Sequence, residues 1–246
     1  MRYAWLIWSL ISLGIWVLVW ISSRDRELRW KMLVVSVWTS ILGLSEPFFV
    51  PAYWNPPSLF SLAQTTGFDI ESLIFTFSVG GIVSVIYERL FGASYDEVDS
   101  RARMSPHHRL HLLAVLSGPL LFLALFLFTT LNPIYSMAIA LTGAGIFTWY
   151  CRPDLLTKML VSGTIFGVVY FFLFLTLVIA YPDYVKVVWN LNAISGVLIL
   201  GVPLEELLFA FTFGFYWSSI YEHLLWRKAV SAMSTARLPQ ARTHGG

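Results

Sequence analysis

The sequence has little cysteine and little charge, and each shortage excludes a class of protein. Cys151 is the single cysteine among 246 residues, so the chain can form no internal disulfide and no cysteine-based metal cage. Only 12% of the residues are charged, whereas 57% are hydrophobic. This composition is too apolar for an ordinary soluble domain, and it predicts an all-α polytopic membrane protein.

Apolar segments recur along the chain with a length of about 18 to 25 residues, which is what a helix needs to cross a bilayer. They predict seven transmembrane helices, here called spans 1 to 7, over residues 3–21, 32–49, 68–91, 110–131, 134–150, 159–181 and 202–226. Alternate loops and the C-terminal tail contain every lysine and arginine except Arg2 and Lys186. The positive-inside rule therefore predicts a multi-pass cell-membrane protein with its N-terminus outside and its C-terminus in the cytoplasm.

One stretch of the sequence occurs twice without a gap, because residues 67–88 match residues 201–222. The similarity continues upstream, where residues 27–34 resemble residues 154–161 and the Trp-Asn pair at 54–55 resembles the pair at 189–190. These matches predict a 3+1+3 parallel internal repeat. We predict a first three-helix repeat at 1–92, a cytoplasmic loop and linker helix at 93–132, a second three-helix repeat at 133–230 and a cytoplasmic tail at 231–246.

Each copy of the repeat places a carboxyl group a few residues into an apolar span. Charge inside a span is costly, so we interpret Glu71 and Glu205 as candidate catalytic acids. Glu206 is interpreted as either a second acid or a structural group, and Glu46 is a further buried acid without a partner in the repeat. A carboxyl group that is buried away from water can stay protonated and donate its proton to an alkene.

Aromatic residues follow these acids at helical spacing along the same face. Such rings either fill the core or stabilise a carbocation by cation–π attraction. The asparagines of the two Trp-Asn pairs either orient the carboxyl groups or form loop turns. We predict that the substrate contacts eight residues of these two kinds, namely Phe75, Phe209, Phe213, Tyr216, Trp54, Trp189, Asn55 and Asn190.

Other acidic residues have simpler interpretations. Asp69 precedes span 3 and is interpreted as its helix N-cap. Glu88 and Glu222 are equivalent residues of the repeat at the cytoplasmic ends of spans 3 and 7. We expect them to form salt bridges at the membrane interface with the basic residues near them in sequence, which are Arg89, His223 and Arg227.

The sequence predicts neither a metal site nor a cofactor. His107, His108 and His111 lie in a solvated cytoplasmic loop without a matching cysteine, so we expect no metal there. Span 7 has no lysine between Val202 and Trp226, which disfavours a retinal protein because no Schiff base can form. No stretch resembles the glycine loop of a dinucleotide-binding domain.

The residues Pro203-Leu204-Glu205-Glu206, with Trp189-Asn190 upstream, resemble the Pro-x-Glu-Glu motif of the membrane-integral lycopene cyclases. These occur as a heterodimeric bacterial type and as a fused archaeal and fungal type, in which a linking helix joins two three-helix units. The repeat resembles that arrangement over nearly the whole chain. The resemblance implies that Glu205 and Glu206 are the motif glutamates and that Glu71 is the glutamate of the first half. We predict that Glu205, helped by Glu206 or by Glu71, protonates the terminal double bond of the substrate. The first copy departs from the motif because it lacks the proline and the second glutamate.

The resemblance implies an intramolecular lyase or isomerase that converts the ψ-ends of lycopene, a carotenoid, to β-rings by acid catalysis without a cofactor. Its expected partners are a hydrophobic polyene or isoprenoid from the bilayer and membrane lipid, with no nucleic acid, while homo-oligomerisation is left open. One alternative is a transmembrane cyclase of another terpene or meroterpenoid. The other is a non-enzymatic small-molecule transporter or carotenoid-binding protein. Apolar mid-span positions favour a lipid substrate over a transporter.

Overall fold

The computed structural model describes residues 1–98 and 111–231, which form a mostly helical bundle. His107, His108 and the predicted tail from residue 232 onward lie outside the described residues. Within the described part, six helices are long and apolar enough to cross a membrane, and they are Ala4–Ser22, Arg26–Phe49, Ile70–Phe91, His111–Phe128, Pro133–Cys151 and Pro153–Ala180. They confirm the prediction of a helical membrane protein and correspond to spans 1 to 6.

The helices are labelled in chain order as α1 (Ala4–Ser22), α2 (Arg26–Ser40), α3 (Glu46–Phe49), α4 (Leu62–Thr66), α5 (Ile70–Phe91), α6 (His111–Phe128), α7 (Pro133–Cys151), α8 (Leu156–Ala180), α9 (Tyr184–Val188), α10 (Leu204–Trp217) and α11 (Ile220–Leu225). A 3₁₀ segment, Ile41–Ser45, joins α2 to α3 within span 2. Further 3₁₀ turns cover Leu59–Ser61, Pro153–Leu155 and Leu191–Ala193.

Two short antiparallel strand pairs add to the helices, and the sequence did not predict them. Strand β1 (Ala93–Glu97) pairs with β4 (Arg227–Ser231), which joins the chain after α5 to the chain after α11. Strand β2 (Leu198–Ile199) pairs with β3 (Val202–Pro203) in a hairpin directly before α10. The second pair leads the chain into the helix that carries Glu205 and Glu206.

Predicted span 7 is divided in the structure. Helices α10 and α11 cover it, and a turn at Ser218 and Ser219 separates them. The Ser219 hydroxyl donates to the carbonyl of Tyr216 at 2.9 Å. Serine hydroxyls compete with backbone amides for helix carbonyls and so bend helices. Neither α10 nor α11 reaches the length of the six spans, so a seventh span stays a prediction.

Local signals position the acids in the first turns of α5 and α10. Asp69 is the N-cap of α5, as predicted, because its carboxylate accepts a hydrogen bond from the backbone N–H of Ser72. Glu71 consequently lies in the first turn of α5, and Glu205 and Glu206 lie in the first turn of α10. The helix dipole favours a negative charge at these positions.

Glycines at equivalent positions of the two sequence copies let neighbouring helices approach closely. A Cβ atom on Gly80 would lie 2.0 Å from Thr39 Oγ1, where α5 packs against α2. A Cβ atom on Gly214 would lie 2.9 Å from the backbone of Gly163, where α10 packs against α8. Small residues are typical of such contacts because helices in a membrane associate through close packing.

The two Trp-Asn pairs make reciprocal contacts, in which each pair binds the loop that holds the other. The backbone N–H of Asn55 donates to the carbonyl of Val188 at 2.8 Å, and the N–H of Asn190 donates to the carbonyl of Tyr53 at 2.9 Å. The indole rings of the two tryptophans have centroids 5.4 Å apart. The loops before α4 and after α9 are therefore held together by their repeated residues.

Candidate active site

A cavity of about 130 Å³ lies among helices of both parts of the chain, with α1, α2, α3, α5, α7, α8 and α10 in its wall. Most of the wall is apolar. Five of the eight predicted substrate-contact residues line it, and they are Phe75, Phe209, Phe213, Trp54 and Trp189. Two carboxyl groups, those of Glu46 and Glu206, also line it. The cavity thus combines aromatic surface with two acids.

Glu206 is 6% exposed and is held by three side chains. The Tyr53 hydroxyl donates to Oε1 at 2.6 Å, and the Trp189 indole N–H donates to the same oxygen at 2.9 Å. The Tyr170 hydroxyl lies 2.6 Å from the other oxygen, Oε2. Such a network fixes the orientation of the carboxyl group against the cavity.

The three donors around Glu206 are divided between its two carboxyl oxygens. An indole N–H can only donate, so Oε1 always accepts from Trp189. Burial, followed by the neighbouring Glu206 carboxyl group, raises the pKa of Tyr53 well above its ordinary value, and the Tyr53 hydroxyl therefore keeps its proton. Tyr53 and Trp189 therefore both donate to Oε1, and Tyr170 donates to Oε2.

Glu46 belongs to the first half of the chain and is also 6% exposed. Its Oε2 accepts a hydrogen bond of 3.0 Å from the hydroxyl of Ser72, which also lines the cavity. Its Oε1 is buried and makes no hydrogen bond within the described part of the chain. Ser72 is the sequence counterpart of Glu206, so Glu46 reaches the cavity where the first copy lacks its second glutamate. The sequence indicated Glu46 as a candidate acid, because it is an acidic residue inside an apolar span.

Glu71 and Glu205 are each 1% exposed, but neither lines the cavity. Glu205 Oε1 accepts hydrogen bonds from the Tyr135 hydroxyl at 2.6 Å and from the backbone N–H of Ser195 at 2.9 Å. Glu71 Oε1 accepts a hydrogen bond of 2.7 Å from the backbone N–H of Leu59. Each glutamate therefore ties the preceding loop to the first turn of its own helix.

The other three predicted substrate-contact residues lie outside the cavity wall. The Tyr216 hydroxyl points toward α6, where it donates to the carbonyl of Val115 at 3.4 Å. Asn55 and Asn190 are exposed; the Asn55 side chain accepts a hydrogen bond from Gln64 in the short helix α4, and the Asn190 side chain donates to the carbonyl of Ala52 in the loop before that helix. Of the two open interpretations of these asparagines, the loop role fits the contacts.

Sequence reasoning missed five aromatic residues of the cavity wall, namely Trp5, Trp8, Phe49, Tyr53 and Tyr170. Trp5 and Trp8 are three residues apart on α1, a spacing that places two rings on one helix face. Tyr170 had no comparable signal, because a tyrosine within an apolar span is more often a packing residue. Its role follows from the contact with Glu206.

Residues 132–224 match the family model described as lycopene cyclase. The match covers 93 of the 246 residues and supports an assignment of this segment to the lycopene cyclase family. That family implies an enzyme that catalyses a cyclisation. No curated protein and no solved structure gave a significant match to the chain.

The lycopene cyclase segment supplies only part of the cavity. It includes Glu206 together with two of its hydrogen-bond partners, Tyr170 and Trp189. Tyr53 and Glu46 precede the matched residues. The third partner of the motif glutamate and the second acid of the cavity thus come from the first half of the chain.

A second group of buried charges lies at the other end of the helical bundle. Lys31 Nζ is 3.1 Å from Glu88 Oε1 and 2.5 Å from Glu222 Oε1. Lys158 Nζ is 2.5 Å and 2.6 Å from the same two oxygens. All four side chains are at most 3% exposed. We call these four residues the charge cluster, and its two positive and two negative charges balance.

The charge cluster corrects the expected partners of Glu88 and Glu222. Arg89 donates to the Ser22 carbonyl, and Arg227 lies 3.9 Å from Glu27. Arg89 and Arg227 lie at helix ends near solvent, where a long charged side chain is easily hydrated. The lysines come from matching positions of the two similar sequence stretches at 27–34 and 154–161, and they point inward, so the salt bridges are buried within the protein.

Proposed function

We propose that the protein is a membrane-integral lycopene β-cyclase in which Glu206 is the acid. The observation that carries the proposal is the position of Glu206, which is the motif glutamate that lines an aromatic cavity. The lycopene cyclase family of residues 132–224 supports the reaction class. Glu205 and Glu71 are then loop anchors, because each holds a backbone N–H outside the cavity wall.

The reaction begins when Glu206 transfers its proton to the terminal double bond of a ψ-end. The new C–H bond leaves a tertiary carbocation, and the neighbouring double bond attacks it to close a six-membered ring. A ring proton is then lost to a carboxylate, which forms the ring double bond of the β-end. One proton enters and one leaves, so the product is an isomer of the substrate and no redox change occurs.

Glu46 is the proposed proton acceptor. It lines the same cavity as Glu206, and the bond from Ser72 holds only one of its two carboxyl oxygens. A carboxylate with an uncommitted oxygen is suited to remove a proton from a cation. Return of this proton from Glu46 to Glu206 between turnovers completes the cycle.

The aromatic residues of the cavity wall have two roles in this mechanism. It keeps water away from the carbocation, which water would otherwise trap as an alcohol. Its ring faces also stabilise positive charge, by about 0.5 to 2 kcal/mol for each well-placed ring. Phe209 and Phe213 stack with centroids 5.4 Å apart on the helix that carries Glu206, and they are the rings proposed for this task.

We propose further that the chain has the parallel 3+1+3 repeat, with units at 1–92, 93–132, 133–230 and 231–246. The reciprocal bonds of Asn55 and Asn190 and the pairing of equivalent lysines with equivalent glutamates support a twofold relation between the halves. In this arrangement α10 and α11 together form span 7, the N-terminus is outside and the C-terminus is cytoplasmic. The polyene enters the cavity from the bilayer.

Expression in a lycopene-accumulating bacterium, followed by chromatographic analysis of the pigments, tests the proposed function. We expect carotenoids with β-rings in cells that express the chain and only lycopene in cells with the empty vector. Lycopene that stays unchanged beside membrane-inserted protein would contradict the substrate. That result would direct attention to another terpene or meroterpenoid.

A further inference from the structure

Three side chains that bind metals in other proteins meet at the end of the bundle that holds the charge cluster. They are His111 at the start of α6, Cys151 at the end of α7 and His223 in α11. One ligand atom from each lies within 4.8 Å of those of the other two. The three residues are far apart in sequence, so only the fold brings them together.

We propose that His111, Cys151 and His223 form a zinc site. A thiolate with two imidazoles is a donor set that suits Zn²⁺, and three protein ligands leave the fourth position of a tetrahedral ion for water or another ligand. The proposal concerns a site separate from the cavity, so it does not depend on the proposed function.

One of the three distances between ligand atoms already fits a tetrahedral ion, and the other two are at most 4.8 Å. Bond lengths of about 2.0 Å to nitrogen and about 2.3 Å to sulfur place two ligand atoms roughly 3.3 to 3.6 Å apart. Cys151 Sγ lies 3.6 Å from His111 Nδ1. The rings of His111 and His223 have centroids 4.5 Å apart and are nearly perpendicular, so small rotations direct a nitrogen of each toward a shared point.

Neighbouring side chains hold the two imidazoles in place. Thr148 Oγ1 lies 3.3 Å from Nδ1 of His223, and Thr148 is one turn before Cys151 on α7. A hydrogen bond from Nδ1–H to this hydroxyl selects the tautomer whose Nε2 can bind a metal. The indole of Trp226 stacks on the ring of His111 with a centroid distance of 4.3 Å. Support of this kind is typical of metal sites.

The three ligands are buried to different extents, and this difference indicates the side from which an ion reaches the site. Cys151 is 1% exposed and His223 is fully buried, whereas His111 is half-buried. An ion can therefore enter from the His111 side. Once bound, it would fasten the start of α6 to the ends of α7 and α11. The proposed role of the ion is structural, because the bound ion would join the predicted linker helix to the predicted second repeat.

The test uses the full-length protein purified in detergent, with its metal content measured and with cobalt as a spectroscopic substitute for zinc. We expect about one zinc ion per chain, and we expect Co²⁺ added to the metal-free protein to give a thiolate-to-cobalt absorption band in the near ultraviolet. Cys151→Ser should remove the band, and His223→Gln should weaken Co²⁺ binding by at least tenfold. Asp183→Asn, which changes an exposed carboxylate, is the control and should bind like the wild type.

A second measurement guards against variants that fail to fold. Cys151 is the only thiol, so maleimide labelling of the wild-type protein reports its state directly. We expect zinc to slow labelling and a chelator to restore it. A wild-type protein that shows neither the cobalt–thiolate band nor zinc protection of Cys151 would overturn the proposal.

Discussion

The hydroxyl of Tyr170 donates a hydrogen bond of 2.6 Å to Glu206 Oε2, whereas Tyr53 and Trp189 both donate to Oε1. The contact joins α8 to α10 at the cavity wall. Its consequence is that Tyr170 positions the acid of the proposed reaction.

Tyr170→Phe should keep the ring in the wall but remove this hydrogen bond. Because a hydrogen bond to a neutral carboxyl group contributes about 0.5 to 1.5 kcal/mol, we expect the rate of ring formation to fall roughly 2- to 13-fold. The fall should be in kcat more than in KM, as measured with lycopene in liposomes. Tyr135→Phe, which removes a similar bond from Glu205, is the matched control. Equal rates for wild type and Tyr170→Phe would remove Tyr170 from the mechanism.

Phe209→Leu should lower the rate of cyclisation while the protein stays folded. The loss of one ring face near the carbocation corresponds to about 2- to 30-fold, and Phe209→Trp should retain most of the activity. Phe211 on the same helix is 39% exposed, so Phe211→Leu is the control. If both leucine variants have the same pigment yield per milligram of protein, the ring of Phe209 has no special role.

The charge cluster predicts a marked effect on stability. Lys158→Met leaves two buried carboxylates with one lysine, and breaking such a group typically costs about 3 to 5 kcal/mol. The neutral pair Lys158→Met/Glu222→Gln should be less destabilised than Lys158→Met alone, because it leaves no excess charge. The midpoint of thermal denaturation in detergent, followed by tryptophan fluorescence, checks this order. A pair variant that is less stable than the single variant would contradict charge balance as the cause.

Gly214 and Gly167 form a matched pair for the packing of α10 against α8. Gly214→Ala places a methyl group 2.9 Å from the backbone of Gly163, which cannot move aside, so we expect a loss of about 1 to 3 kcal/mol. A Cβ atom on Gly167 would make contacts only at 4.0 Å, and Gly167→Ala should be tolerated. Denaturation midpoints of the two variants measure the difference. Similar midpoints would mean that the helices are not packed as described.

Much of the fold was predictable because its signals are local. Long apolar runs predicted the six long helices, and the position of Asp69 predicted the start of α5. The break in span 7 was not predictable, because Ser218 and Ser219 correspond to residues of the first copy where α5 is continuous. The outcome there depends on tertiary packing.

The candidate site was predictable in composition but not in detail. Glu205 and Glu206 are neighbours about 100° apart around a helix, so the sequence alone does not determine which one faces the cavity. The structure turns Glu206 inward and Glu205 toward Tyr135. Glu46 lacks a repeat partner, and its approach to the cavity depends on the bond from Ser72.

The most direct test of the account compares Glu206→Gln with Glu205→Gln in lycopene-accumulating cells, with pigment composition normalised to the amount of membrane-inserted protein. General acid catalysis contributes about 100- to 10,000-fold, so Glu206→Gln should reduce β-ring formation at least 100-fold. Glu205→Gln should retain ring formation, with losses that follow its stability. Wild-type levels of β-rings from Glu206→Gln, together with none from Glu205→Gln, would contradict the assignment of the acid.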